Sequence, residues 1–408
     1  MAKQKISRAA KFAVAVAALG YFVDVFDILL FSVVRTTSLN SLGVPVTELL
    51  NVGIYLINAQ MLGMLVGGVL WGVWGDKRGR LSVLFGSILL YSVANILNGF
   101  AQTVDQYAVL RFFAGLGLAG ELGAGVTLIV EILPKQSRGL GTTIIATVGV
   151  AGGLAASLVG RYWDWRTAYF IAGGMGIALL FLRVSVQESG LFNQVQKKAS
   201  VARGSLLLLF SSADRVKRFV ACLLAGVPIY FVLGVLVAFA PEIGAARGMG
   251  GSLTAADAVF YSYLGYISGD LASGLLSQYL RSRTRVLYLF ILLTAIFSAA
   301  LLAAPVPSLG YAHGLYVLLG FFSGYWAVFI TVAAERFGTN LRATVATSVP
   351  NLVRGMVIPM TLSLKALRPH TGLAGACLTV LGVTTVLALV SVWSLKDSFS
   401  QDLEFLEK

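Results

Sequence analysis

Ionisable residues fall inside long apolar runs, chief among them Asp24, Asp27, Arg111, Glu121 and Arg354. A charge surrounded by hydrocarbon costs several kcal/mol unless another group or water meets it, so each marks a site of chemistry or of a fixed ion pair. Asp24 and Asp27 are three residues apart and share one helical face. At ~1.5 Å of rise per residue, Asp24 lies roughly 20 Å along its helix from Lys11, and Glu121 about 15 Å from Arg111. A carboxylate whose access to water changes can take up and release a proton, and a neighbouring arginine biases that exchange. Asp24 or Asp27, with Arg111, therefore has the makings of a proton-coupling pair. The other reading is a static ion pair between the two helices. On depth, Asp27 is the better partner for Arg111 and Asp24 lies nearer the middle of its span.

Glu121 has three readings: a second titrating site, a substrate contact, or a helix–helix hydrogen bond. Arg354 has an arginine's planar fork, suited to a substrate carboxylate. Its structural alternative is a pair with Asp270. Polar and aromatic residues within apolar runs add Asn58, Gln60, Asn95, Asn98, Tyr230, Tyr325 and Trp326 as candidate cavity groups. Asn58, Tyr325 and Trp326 join Arg354 as expected substrate contacts. Tyr261 and Tyr263, near the end of their run, read as interfacial anchors. With two cysteines and two histidines, neither zinc spacing nor a disulfide framework is present, and no cofactor is expected. Gly115, Gly117 and Gly120 match a dinucleotide pattern by accident, because they sit in an apolar helix rather than after a strand.

These groups need helices of membrane length to hold them. Of 408 residues, 57% are hydrophobic and 12% charged, with a mean hydropathy of +0.84. A soluble domain carries about 25% charge, so most of this surface must face lipid. A span needs about 20 apolar residues. Twelve runs qualify, near 12–35, 50–74, 81–101, 106–132, 140–161, 166–185, 218–240, 257–280, 285–304, 312–334, 343–364 and 373–395. The fold class expected is an all-α membrane protein of twelve transmembrane helices in two six-helix halves, 1–185 and 218–408, joined by a linker over 186–217.

With the N-terminus inside, 23 of the 31 lysines and arginines fall in cytoplasmic segments and six in segments on the other side. That bias is the positive-inside rule repeated loop after loop. It predicts both termini in the cytoplasm. The net charge of +13 is thus a matter of topology, and no nucleic-acid partner is expected. The first run is too long for a cleavable signal and reads as a span. No extramembrane segment is long enough to bury a core of its own, which disfavours a receptor or an enzyme.

Between the second and third spans stands Gly72-Val-Trp-Gly-Asp76-Lys77-Arg78-Gly79-Arg80. So short a turn stays at the membrane surface. The fourth span ends in Glu131 with Arg138 seven residues on. The tenth ends in Glu335 with Arg342 seven residues on, 204 residues later. This echo supports a duplicated architecture.

The charged turn resembles the loop between spans two and three of the major facilitator superfamily, with Leu81 where a further basic residue is usual. Arg111, Gly115 and Gly117, the run from Glu131 to Gly139, Trp165-Arg166 and Gln187-Glu188-Ser189 resemble motifs of its sugar and metabolite porters. The closest resemblance is to its metabolite:proton and aromatic-acid:proton symporters. It implies alternating access, with Gly72, Asp76, Arg78, Gly79, Arg80, Glu131, Arg138, Glu335 and Arg342 in gating and Asp24, Asp27, Arg111 and Glu121 in proton coupling. The expected partners are a small-molecule substrate, protons and the lipid bilayer of an inner membrane, and the expected state is a monomer. A proton-antiporting exporter and a transporter-fold sensor are the alternatives. The fifth span has none of the prolines usual in exporters, and no signalling domain is visible.

Overall fold

The computed structural model describes residues 8–78, 80–121, 138–188, 209–249, 252–399 and 407. It describes no side chain for residues 8–10, 73, 75–81, 138–144, 146, 185–188, 339–340, 342–343 and 346–347. The described residues form helices and connecting turns, with no strand among them. The helices are α1 (Arg8–Ser41), α2 (Leu49–Arg78), α3 (Arg80–Asn98), α4 (Val104–Leu118), α5 (Arg138–Tyr162) and α6 (Trp165–Glu188). After them come α7 (Ala213–Phe231), α8 (Ala240–Ala246), α9 (Ala255–Tyr279), α10 (Arg283–Ala303), α11 (Leu309–Ser323), α12 (Trp326–Glu335), α13 (Thr339–Gly355) and α14 (Val357–Ser394). Seven described helical stretches are long and apolar enough to cross a membrane, among them Lys11–Ser41, Ala213–Val237 and the 47-residue Ser348–Ser394.

Packing divides the chain into two compact units: residues 1–31 with 62–203, and residues 32–61 with 204–408. In the first unit, α3 packs on α4 and α6. Asp164 starts α6 by accepting the N–H groups of Arg166 (3.0 Å) and Thr167 (3.1 Å). Hydrogen bonds from Thr167 hold its carboxyl below the usual carboxylate range. Arg166 lies over the Trp165 ring and donates to the carbonyls of Gly99 and Ala101, both at 2.9 Å. The Trp165-Arg166 pair thereby clasps the end of α3.

In the second unit, α9 and α11 pack backbone to backbone. A Cβ on Gly265 or Gly269 would run into the carbonyls of Val317 or Phe321, and one on Gly320 into Ser262. Small residues that allow such approach are the usual means of helix association in lipid, where the hydrophobic effect between helices is absent.

Four expected spans are not continuous among the described residues: 106–132 turns at Ala119–Gly120, 343–364 turns at Met356, and 218–240 and 312–334 break as follows. Pro228 removes a donor within α7, and a π-helical stretch, Val232–Val237, follows before Phe239 breaks the helix and Pro241 opens α8. The run 312–334 stops at Ser323 and restarts at Trp326. Gly324 lies so close to α9 that a Cβ there would sit 2.7 Å from the Asp270 nitrogen. The last apolar stretch bends at Gly372, whose φ of 69° favours glycine. Cys222 and Cys377 are both buried and unbonded.

Gly269→Ala should lower unfolding stability in detergent by about 1–3 kcal/mol, because neither backbone can yield. Gly274→Ala, on the same helix with open space around it, should be neutral or gain up to ~1 kcal/mol. Thermal unfolding of the two variants against the parent checks both.

Candidate functional sites

The first unit gathers α1, α3, α4 and α6 around buried charges. Asp24, Asp27 and Arg111 are fully buried, and Glu121 nearly so. Asn95 of α3 donates to Asp27 Oδ2 at 2.7 Å, and Arg111 Nη1 lies 3.8 Å from Asp27 Oδ1. The Arg111 guanidinium faces the rings of Phe31 (5.2 Å) and Tyr169 (5.7 Å). Tyr169 is fixed in turn by a 2.6 Å hydroxyl–hydroxyl bond to Tyr107. Two aromatic faces thus take over part of the work of solvating this cation.

Glu121 forms an ion pair with Arg183 of α6. Gly20 makes room for it, since a Cβ there would strike both side chains. Tyr91 of α3 lies within electrostatic reach of Glu121, Arg183, Asp24 and Asp27. Among the described residues, the buried set therefore holds three carboxylates, Asp24, Asp27 and Glu121, and two guanidiniums, Arg111 and Arg183.

In the second unit, Arg354 Nε donates to the Tyr230 hydroxyl at 2.9 Å. The Tyr230 ring meets Trp326 edge to face at 5.9 Å, and Trp326 packs on Phe329 at 5.3 Å. Asn58 accepts the Thr361 hydroxyl at 2.8 Å. Tyr325 is fully buried and donates to the Ala225 carbonyl at 3.1 Å, which ties the break between α11 and α12 to α7. The alternative pair of Arg354 with Asp270 does not form. Asp270 instead accepts the N–H of Ala327 at 2.8 Å, at the start of α12.

Of the gating candidates, Glu335 lies 3.4 Å from Arg283 and accepts the Ser398 hydroxyl at 2.6 Å. Gly72 is exposed. Glu131 and Gly79 lie outside the described residues, as do the side chains of Asp76, Arg78, Arg80, Arg138 and Arg342.

Sequence reasoning missed three charged groups. Arg35 is fully buried, bonds Glu242 at 2.6 Å and the Leu49 and Ala238 carbonyls at 3.2 Å, and lies over Phe239. Its signal was a third charge at the end of the apolar run that carries Asp24 and Asp27. Arg183 reads as a loop charge because it ends an apolar run. Asp397 follows α14 and caps α10: it accepts the Ser282 hydroxyl, the Thr284 hydroxyl at 2.9 Å and the Arg283 N–H at 3.3 Å. No local pattern announces a cap supplied from so far along the chain.

A sequence profile of the Major Facilitator Superfamily matches residues 17–359. The chain belongs to that superfamily and is a multi-pass membrane transporter of small molecules, not an enzyme. It is 23% identical over 334 residues to the putative niacin/nicotinamide transporter NiaP of Bacillus subtilis, covering 81% of each chain. It is 24% identical over 397 residues to the probable 4-methylmuconolactone transporter of Cupriavidus pinatubonensis, covering 93% of this chain and 89% of that one. Among solved structures it resembles the D-xylose-proton symporter, with a TM-score of 0.72 and 16% identity over 96% of this chain and 98% of that one.

Burial alone would raise the Asp397 carboxyl, but its hydrogen bonds prevail and hold it at about 2, against 3.8 unperturbed. Its contribution is therefore complete above about pH 4 and is lost as the pH falls through about 2. Asp397→Ala should cost about 1 kcal/mol at pH 7, as lost helix caps do. The gap to the parent should close on acidification, in unfolding experiments run across that range.

Proposed function

We propose that the protein is a proton-coupled symporter that takes up a small organic anion or zwitterion by alternating access. The observation that carries this reading is the charge count of the first unit: three buried carboxylates against two buried guanidiniums among the described residues. With every group ionised, these five described side chains sum to one net negative charge in an apolar setting, which a proton on one of the acids offsets. Asp27 and Glu121 each have an arginine at hand. We assign the proton to Asp24, a fully buried acid nearer the middle of the first span than Asp27. A proton there neutralises the cluster, and its departure to the other side of the membrane restores the charge. Arg111 and Asn95 hold Asp27 in place, and Glu121 with Arg183 joins the segment that follows α4 to α6.

Arg354 is the proposed anion contact. Tyr230 holds one edge of its guanidinium through Nε, and the rings of Tyr230 and Trp326 supply aromatic faces beside it. Niacin is an aromatic ring carboxylate and 4-methylmuconolactone carries a carboxylate beside a small ring, so the names of the two relatives favour a compact ring acid. Asn58 is a secondary contact. We place twelve spans in two six-helix halves, 1–185 and 218–408, with 186–217 as a cytoplasmic linker and both termini in the cytoplasm, in a bacterial-type inner membrane, as a monomer. The turn from Gly72 to Arg80, Glu131 with Arg138, and Glu335 with Arg342 are the proposed latches.

Nicotinate, 4-hydroxybenzoate and a panel of small acids, offered to proteoliposomes with and without an inward proton gradient, test the reading. The gradient should drive accumulation by the parent. Asp24→Asn should exchange labelled substrate normally yet accumulate none against a gradient. Accumulation by the parent that ignores the gradient would reject proton coupling. Arg354→Gln should weaken apparent affinity at least ~10-fold, equivalent to about 1.4 kcal/mol, and Arg354→Lys should not restore it, because an ammonium lacks the planar fork.

A further inference from the structure

Asp270 is a carboxylate within α9 that the proposed proton site does not use. It is half-buried, on α9, and its partners are the N–H groups of Ala327 and Trp326, the first two residues of α12. That placement is forced. Gly265, Gly269, Gly320 and Gly324 bring the α9 and α11 backbones together. The chain then breaks at Gly324–Tyr325 and presents the start of α12 to the acid on the neighbouring helix. The first peptide groups of a helix have no partner within it and carry the positive end of its dipole, so an ionised acid there is favoured.

No charged side chain competes for this acid among the described residues. Of the elements packed on α9, α11 carries Tyr311, His313 and Tyr316 as its titratable groups, with His313 stacked on Tyr261 and Tyr316 bonded to the Leu236 carbonyl. On α12 the group is Glu335, which pairs with Arg283. On α10 the groups are Arg283, Arg285 and Tyr288, on α8 it is Glu242, paired with Arg35, and the π-helical stretch has none. The Tyr325 hydroxyl is held by Ala225. Among the described residues, the Asp270 carboxylate is met by the peptide N–H groups of Ala327 and Trp326.

The residue opening α12 is Trp326, whose ring lies against Tyr230, and Tyr230 in turn holds Arg354. We propose that Asp270 is a second proton-binding group, a cap whose charge sets the position of the first turn of α12 and, through Trp326 and Tyr230, the aim of the Arg354 guanidinium. Ionised, it holds that turn. Protonated, it keeps an acceptor oxygen but loses its attraction for the helix terminus, and the turn loosens. Proton and anion are then linked within the second unit itself, by a route separate from Asp24. The role of Arg354 rests on the function proposed above, whereas the movement of Trp326 does not.

Tryptophan emission of the purified protein in lipid nanodiscs, titrated with acid in the absence of substrate, reads that movement directly. The parent should show a reversible emission change that is absent from both Asp270→Asn and Trp326→Phe. Asparagine keeps an acceptor for the N–H groups, so a purely structural cap would leave the titration of Asp270→Asn like the parent's, and that result overturns the proposal. So does a parent without any titration, or a titration that survives Trp326→Phe, the variant that decides alone if Asp270→Asn does not fold. No substrate or gradient enters the measurement, so its failure would leave the uptake result standing, and the converse holds too.

Discussion

A charge placed in hydrocarbon must be met by another group, and that requirement organises this protein. The buried arginines each have a specific answer to it, and for Arg215 it includes the Ser211 hydroxyl at 2.8 Å. Arg111 has Asp27 and two aromatic faces, Arg183 has Glu121, Arg35 has Glu242 and two backbone carbonyls, and Arg354 has the Tyr230 hydroxyl. Removing one partner of such a pair leaves a bare buried charge, a far larger penalty than the pair's net contribution to stability. The helices that carry these groups are thereby tied into fixed registers. A proton is the one species able to change such a balance without moving a side chain far.

The second requirement is steric. Helices in lipid gain little from burying apolar side chains against one another, so close backbone approach has to supply the attraction. Gly63 and Gly67 do this against α4, and Gly152 against α1, in the first unit. Gly265, Gly269 and Gly320 do it between α9 and α11 in the second. The approach has a chemical consequence. Where α11 comes this near, it can be interrupted, because a side chain on the neighbouring helix is at hand to satisfy the peptide groups that the break exposes. Asp270 at the start of α12 is that side chain.

Apolar run lengths and the charged turn were enough to read an all-helical membrane protein from the chain, because a segment of about 20 apolar residues has few other ways to fold. The buried acids were legible for the same reason: Asp24, Asp27 and Glu121 interrupt runs that are otherwise largely apolar. Partners were harder to read. Arg183 and Arg35 lie at the ends of apolar runs, where a cation ordinarily reaches for the interface, and only the depth of packing puts them inside. Helix interruptions were invisible, since 218–240 and 312–334 are as apolar as any continuous span. Nothing in the local sequence distinguishes a tyrosine that lines a cavity from one that, like Tyr325, pins a break. Asp397 and the start of α10 meet only because the chain folds back over more than a hundred residues.

The two thiols carry one more consequence. Cys222 and Cys377 are 1% and 0% exposed, packed inside the helix bundle of the second unit. Maleimide and spin-label reagents attack only thiolates they can reach, so the native chain is already silent to them. Cysteines introduced one at a time along α1, α7 or α12 can test the alternation proposed above against a blank background, with both natural residues left in place.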